Sequence, residues 1–124
     1  MPHRFKISPS KNGEFIAKFV YNGETMVWSE TYKSRQSAEN CIASIKKNAP
    51  DAAVVDLTKD ETGQGYRFEI AASKDGQTFV RFVAANGETM VRSETYRSKS
   101  SSRNCIASIK KNAPGAETVD ETRA

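Results

Sequence analysis

The polar string Ser29-Glu30-Thr31-Tyr32 recurs as Ser93-Glu94-Thr95-Tyr96. A hydroxyl beside a carboxylate and a phenol could do acid–base work. Such work needs a nucleophile, a base and an orienting group together. No histidine is available as that base, since the chain's one histidine is His3, and no lysine is spaced to serve. The plainer assignment is that Ser and Thr organise a strand-to-helix connection while Tyr32 and Tyr96 pack their rings at its edge. No catalytic residue is assigned, and the pattern points away from an enzyme.

Other reactive residues receive equally plain assignments. Cys41 and Cys105 hold matching positions in two copies of one unit. A disulfide framework places cysteines within a unit, so these are expected to be buried free thiols. With one histidine and no Cys-x-x-Cys, no metal site and no cofactor are expected. Gly63-Gln64-Gly65 is too short for a phosphate loop and precedes a strand. Lys46-Lys47 and Lys110-Lys111 fall where cations complement a helix dipole.

The two copies carry the firmest inference. Residues 22–50 recur at 86–114 with 23 of 29 positions identical. Upstream the offset is 63, with Phe5, Ile7 and Phe19 answered by Phe68, Ile70 and Phe82. The second copy therefore carries one extra residue before its Asn86-Gly87, and a β-bulge or altered loop is expected near Ala84-Ala85. Domain bounds are 1–62 and 63–124, together one compact domain. The informative positions are those that differ. Trp28 becomes Arg92 and Glu39 becomes Arg103. A position that takes both Trp and Arg is expected to be partly exposed. Trp28, Tyr32, Arg92 and Tyr96 are the first candidates for binding. Arg81, Arg92, Arg97 and Arg103 are a candidate anion-binding surface.

These residues must be positioned by short elements. Phe5-Lys6-Ile7 alternates as a half-buried strand does. Residues 9–13 read as a turn, residues 15–21 as a second strand, Asn22-Gly23 as a type I′ hairpin turn, and residues 25–28 as a third strand. Ser34 can cap a helix to about Asn48, with Ala38, Cys41, Ile42, Ile45 and Ala49 as its apolar stripe. Pro50 ends it. Residues 53–57 read as a short strand and 58–65 as a polar linker. Each copy is thus β-β-β-α-β. One helix covers one face of a small sheet, so the fold class is α+β. The two copies should share one mainly antiparallel sheet with both helices on one face, in pseudo-twofold symmetry.

The order Asn22-Gly23-Glu24, Ser29-Glu30-Thr31-Tyr32, then Asn40, Ile42, Ser44, Ile45, Lys46, Asn48 and Ala49, met again in the second copy, resembles the YegP-like family of small bacterial proteins of unknown function. The chain is identified as a tandem-repeat member. The resemblance implies C-terminal strands exchanged between repeats. Residues 53–57 would lie against the second copy, and the strand near Val119 against the first. It implies no activity.

Composition sets the remaining bounds. At 124 residues and 37% hydrophobic content the chain can bury a core without staples. No run approaches the roughly 20 apolar residues of a membrane span. The start, residues 1–7, lacks the apolar stretch of a signal peptide, so a cytoplasmic, monomeric pseudo-dimer is expected. Net charge is +4, with signs interleaved rather than gathered in a stripe. The expected role is a non-enzymatic binding or interaction module of unassigned ligand, acting through the sheet face away from the helices. The alternative is weak nucleic-acid binding by the second copy's arginines, with Trp28 or Tyr32 as a stacking platform.

Overall fold

Period-two burial marks the strands and a helical stripe marks the helices, in both copies. The computed structural model describes residues 2–122. The first copy runs β1 (Arg4–Pro9), β2 (Phe15–Tyr21), β3 (Glu24–Trp28), α1 (Arg35–Asn48) and β4 (Ala53–Asp56). The second runs β5 (Arg67–Ala72), β6 (Thr78–Val83), β7 (Thr89–Arg92), α2 (Lys99–Asn112) and β8 (Glu117–Asp120). Residue 57, read as the end of the fourth strand, instead opens a 3-10 turn over Leu57–Lys59. Both helices start at a serine cap: Ser34 accepts from the Ser37 N–H and Ser98 from the Ser101 N–H.

The hairpins show what the extra residue does. In the first copy Asn22 and Gly23 have φ of 53° and 80°, as a two-residue type I′ turn requires. In the second, the Gly87 N–H bonds the Ala84 carbonyl at 2.9 Å, and the Ala84 N–H bonds the Glu88 carbonyl at 2.9 Å. Positive φ is then confined to Gly87, at 90°. The loop is altered, as the insertion implies. The register irregularity, however, occurs in both copies, between Phe19 and Val20 and between Phe82 and Val83. The bulge therefore does not come from the insertion.

All eight strands form one sheet in the order β4-β5-β6-β7-β3-β2-β1-β8. The edge strands β4 and β8 pair parallel with β5 and β1, and the other pairings are antiparallel. Each copy's last strand thus lies on the other copy's first strand, the exchange implied by the family resemblance. The pseudo-twofold axis passes between β3 and β7, whose register is the single pair Trp28↔Arg92.

One apolar cluster draws on both copies and both helices, so the helices share a face. Its symmetry is close: Phe5 and Phe19 meet at 4.7 Å between ring centroids, as do Phe68 and Phe82. Each ring is essentially fully buried, worth about 1.5–3 kcal/mol relative to exposure. The copies differ where Phe15 and Ala38 of the first become Thr78 and Ser102. The latter two hydroxyls are buried and bond each other at 2.8 Å. The swap replaces an apolar contact by a satisfied polar one, which burial demands.

Carboxylates fasten the exchanged strands. Asp56 ends β4 with its carboxylate 3.0 Å from Lys99 and 3.2 Å from Arg103, both on α2. Asp120 ends β8, 2.8 Å from Arg35 on α1. No helix among the described residues is long and apolar enough to cross a membrane.

Candidate functional site

Successive side chains of a strand point to opposite faces. Phe5 and Ile7, Ala17 and Phe19, Val27, Val91, Val80 and Phe82, and Phe68 and Ile70 are buried in the core. The residues between them make the opposite face. Register then aligns six of these straight across the sheet. Lys6 stands opposite Lys18, Lys18 opposite Trp28, Trp28 opposite Arg92, Arg92 opposite Arg81, and Arg81 opposite Glu69. The pseudo-twofold relates Trp28 to Arg92, Lys18 to Arg81 and Lys6 to Glu69.

Trp28 and Arg92, the pair that differs between the copies, are cross-strand partners on one surface. The Arg92 guanidinium lies 5.8 Å from the Trp28 ring centroid and 4.5 Å from that of Phe79. Arg81 lies 5.9 Å from the same Phe79 ring. The row's centre is therefore a flat patch of indole, phenyl and guanidinium, an arrangement favoured by the ring quadrupole.

The face is cationic. Arg4, Lys6, Lys18, Arg67, Arg81 and Arg92 oppose Glu69, Glu117 and Glu121. Glu69 is largely buried, with Arg81 at 2.8 Å and Arg67 at 2.9 Å. Burial alone would raise its pKa, but the two guanidiniums outweigh burial and hold it below the usual carboxylate value. Lys6 lies 3.3 Å from Glu121, and Arg4 lies 2.9 Å from Glu117. Among the described residues no carboxylate comes within ion-pair distance of Lys18 or Arg92, although the Lys18 charge reaches Glu121 and helps lower its pKa.

The remaining candidates lie elsewhere. Tyr32 and Tyr96 bridge to Phe15 and Thr78 and pack against the core on the helix side. Burial, together with the neighbouring thiols of Cys41 and Cys105, pushes both phenols up. Neither shares a platform with Trp28. Arg103, on α2, is held by Asp56 of β4, and Arg97 is an exposed residue of the β7–α2 connection. Of the candidate set Arg81, Arg92, Arg97 and Arg103, only Arg81 and Arg92 therefore share a surface. Both cysteines are buried free thiols.

The repeated motifs meet across the seam. A cavity of about 280 Å³ joins Glu30 and Tyr32 of one copy to Glu88, Thr89 and Met90 of the other. Its counterpart, about 570 Å³, joins Glu94 and Tyr96 to Glu24, Thr25 and Met26. Ser29 and Ser93, which could have been nucleophiles, are committed to the backbone. Each accepts an N–H, from Ala17 at 2.9 Å and from Val80 at 2.8 Å. The structure brings His3 to Ser108, with Nε2 3.0 Å from Oγ, and stacks its ring on Tyr21. The equivalent of His3 is Tyr66, whose hydroxyl meets Ser44 at 3.4 Å. The contact recurs without an imidazole, so it is a packing contact of the repeat.

The residues missed in the sequence were Lys6, Lys18, Glu69 and Phe79. Only the register across strands distant in sequence gathers them, apart from the Lys18–Arg81 match between the copies.

The model of a domain of unknown function, DUF1508, matches this chain twice, at residues 10–56 and 73–120. A UPF0339 protein of Bordetella pertussis is 41% identical over 103 residues, 83% of this chain and 81% of that protein. A UPF0339 protein of Caulobacter vibrioides is 55% identical over 58 residues, 47% of this chain but 98% of its own length. It is thus the size of one copy. The solution structure of the protein of unknown function yegP from E. coli superposes with a TM-score of 0.77 at 30% identity, covering 98% of this chain and 94% of that one.

Proposed function

We propose, for a chain that belongs to the DUF1508 family, a non-enzymatic binding role in which the sheet face away from the helices takes an anionic ligand. The observation that carries this reading is the cross-sheet row Lys6, Lys18, Trp28, Arg92, Arg81. Four cations stand in that row, and the whole face sets six cations against three carboxylates in a chain of net charge +4. Lys18 and Arg92 flank Trp28 with no carboxylate at ion-pair distance among the described residues, and such a field concentrates anions. The non-enzymatic part is supported by Ser29 and Ser93, whose hydroxyls are spent on main-chain bonds. We place this role in the cytoplasm, where thiols such as Cys41 and Cys105 stay reduced.

The test is a chemical-shift titration with a heparin fragment at low ionic strength. Perturbations should centre on Lys6, Lys18, Trp28, Arg81 and Arg92 and fade as salt is added. Perturbations confined to α1 and α2 would refute the proposed surface.

A further inference from the structure

We propose that the anion this face takes is single-stranded nucleic acid, with an unpaired base against Trp28 and phosphates along the flanking cations. The inference rests on the anion-binding reading above and adds a ligand class to it. A site for bare phosphate or sulfate needs only charge. Here the chain's one tryptophan stands at the middle of the charges, two cations on either side. Arg92 adds a second planar group, 4.5 Å from Phe79. Unpaired bases stack on aromatic rings and on guanidinium planes, and backbone phosphates are met by the surrounding cations.

A seat for a base adjoins the pair. A depression of about 200 Å³ is lined by residues 28–30 of one copy and 89–92 of the other. It lies where β3 and β7 part after their single register pair. Its lining sets Trp28 and Met90, which suit a planar ring, beside the Arg92 guanidinium and the Glu30 carboxylate. Strand spacing of about 4.8 Å makes the row, from Lys6 to Arg81, about 19 Å long. That reach serves a short run of extended backbone. A duplex keeps its bases stacked and paired, so it could offer Trp28 only phosphate and sugar.

The experiment titrates the full chain with oligothymidylate at low salt and follows Trp28 emission. The expected result is saturable quenching, displaced by a heparin fragment that does not itself quench. The logarithm of affinity should fall with that of salt by about 0.7 per phosphate neutralised on a single strand. By anisotropy of a labelled oligothymidylate, Trp28→Leu should bind about tenfold more weakly with an unchanged salt slope. Trp28→Phe should retain much of the binding. Lys18→Glu and Arg92→Glu should weaken binding and flatten the slope, while Lys47→Glu on α1 should bind as the parent does. Heparin binding without oligothymidylate quenching, a Trp28→Leu chain that binds normally, or tighter binding of duplex would overturn the ligand class and leave the anion reading standing. If neither polyanion binds, both fall.

Discussion

Replacing Asp56 by Asn should loosen the exchanged strand β4, and the loss should depend on pH. Asp56 has no exposed surface, and its carboxylate accepts from the Thr58 N–H at 2.9 Å. Lys99 and Arg103, 3.0 and 3.2 Å away, belong to the other copy's helix. Burial pushes the carboxyl up, but the Thr58 hydroxyl and Lys99 outweigh it and hold the pKa at about 2. An unfolded Asp titrates near 3.9, and each unit of difference is worth about 1.4 kcal/mol, so the ceiling is about 2.6 kcal/mol. The side chains of Lys99 and Arg103 are 35% and 46% exposed, and solvent screening reduces the expectation to about 1 kcal/mol. A folded pKa below the unfolded one stabilises above pH 4, and the contribution fades as pH falls from about 4 towards 2. Thermal unfolding of both chains should show Asp56→Asn lower by about 3–6 °C at pH 7. The gap should close between pH 4 and 2. Other carboxylates titrate there too, but they are common to both chains and cancel in the difference. A gap that stays constant down to pH 2, or no gap at pH 7, would refute the reasoning.

Ser93→Ala should cost about 1–3 kcal/mol in urea unfolding, because it strips the buried Val80 N–H of its acceptor. Cys41 and Cys105, buried and with pKa raised by burial, should resist a thiol reagent in the native state and react at once in denaturant. Rapid labelling of the native chain would contradict that packing. Residues 1–62 alone should fold only as a homodimer, because β4 finds its partner strand in the other copy. Sedimentation showing a folded monomer would refute the exchange.

Much of the fold was legible because it is local. Asn22-Gly23 dictates its turn through φ, Ser34 and Ser98 satisfy the first helical N–H groups, and the Ala38–Cys41–Ile42–Ile45 stripe can only face a sheet. Even the extra residue announced an altered hairpin at Ala84–Gly87. The bulge at Phe19 and Val20 was not legible, because it changes register without changing the count of residues between the motifs. The exchange of β4 and β8 was not written in either copy. It followed from the family resemblance, and Asp56 shows why one copy could not reveal it: the carboxylate is meaningful only beside Lys99 and Arg103.

The candidate site follows the same division. Comparing copies found Trp28 and Arg92, since a substitution between near-identical strings is visible in the sequence. Along the chain the substitution reads as an aromatic residue in one copy and a basic one in the other. A twofold axis changes that meaning. Residues related by symmetry and lying next to the axis become neighbours, so a difference between copies at that position makes a mixed pair, not a pair of alternatives. Two tryptophans or two arginines would give a uniform centre; Trp28 beside Arg92 gives a ring and a charge within 5.8 Å. A homodimer of a single-copy chain cannot make such a pair, because its two axial residues must be the same. Duplication within one chain removes that constraint, and in this protein the row that crosses the axis carries the result: Lys6 against Glu69 at its ends, Lys18 against Arg81 within, and Trp28 against Arg92 at its centre.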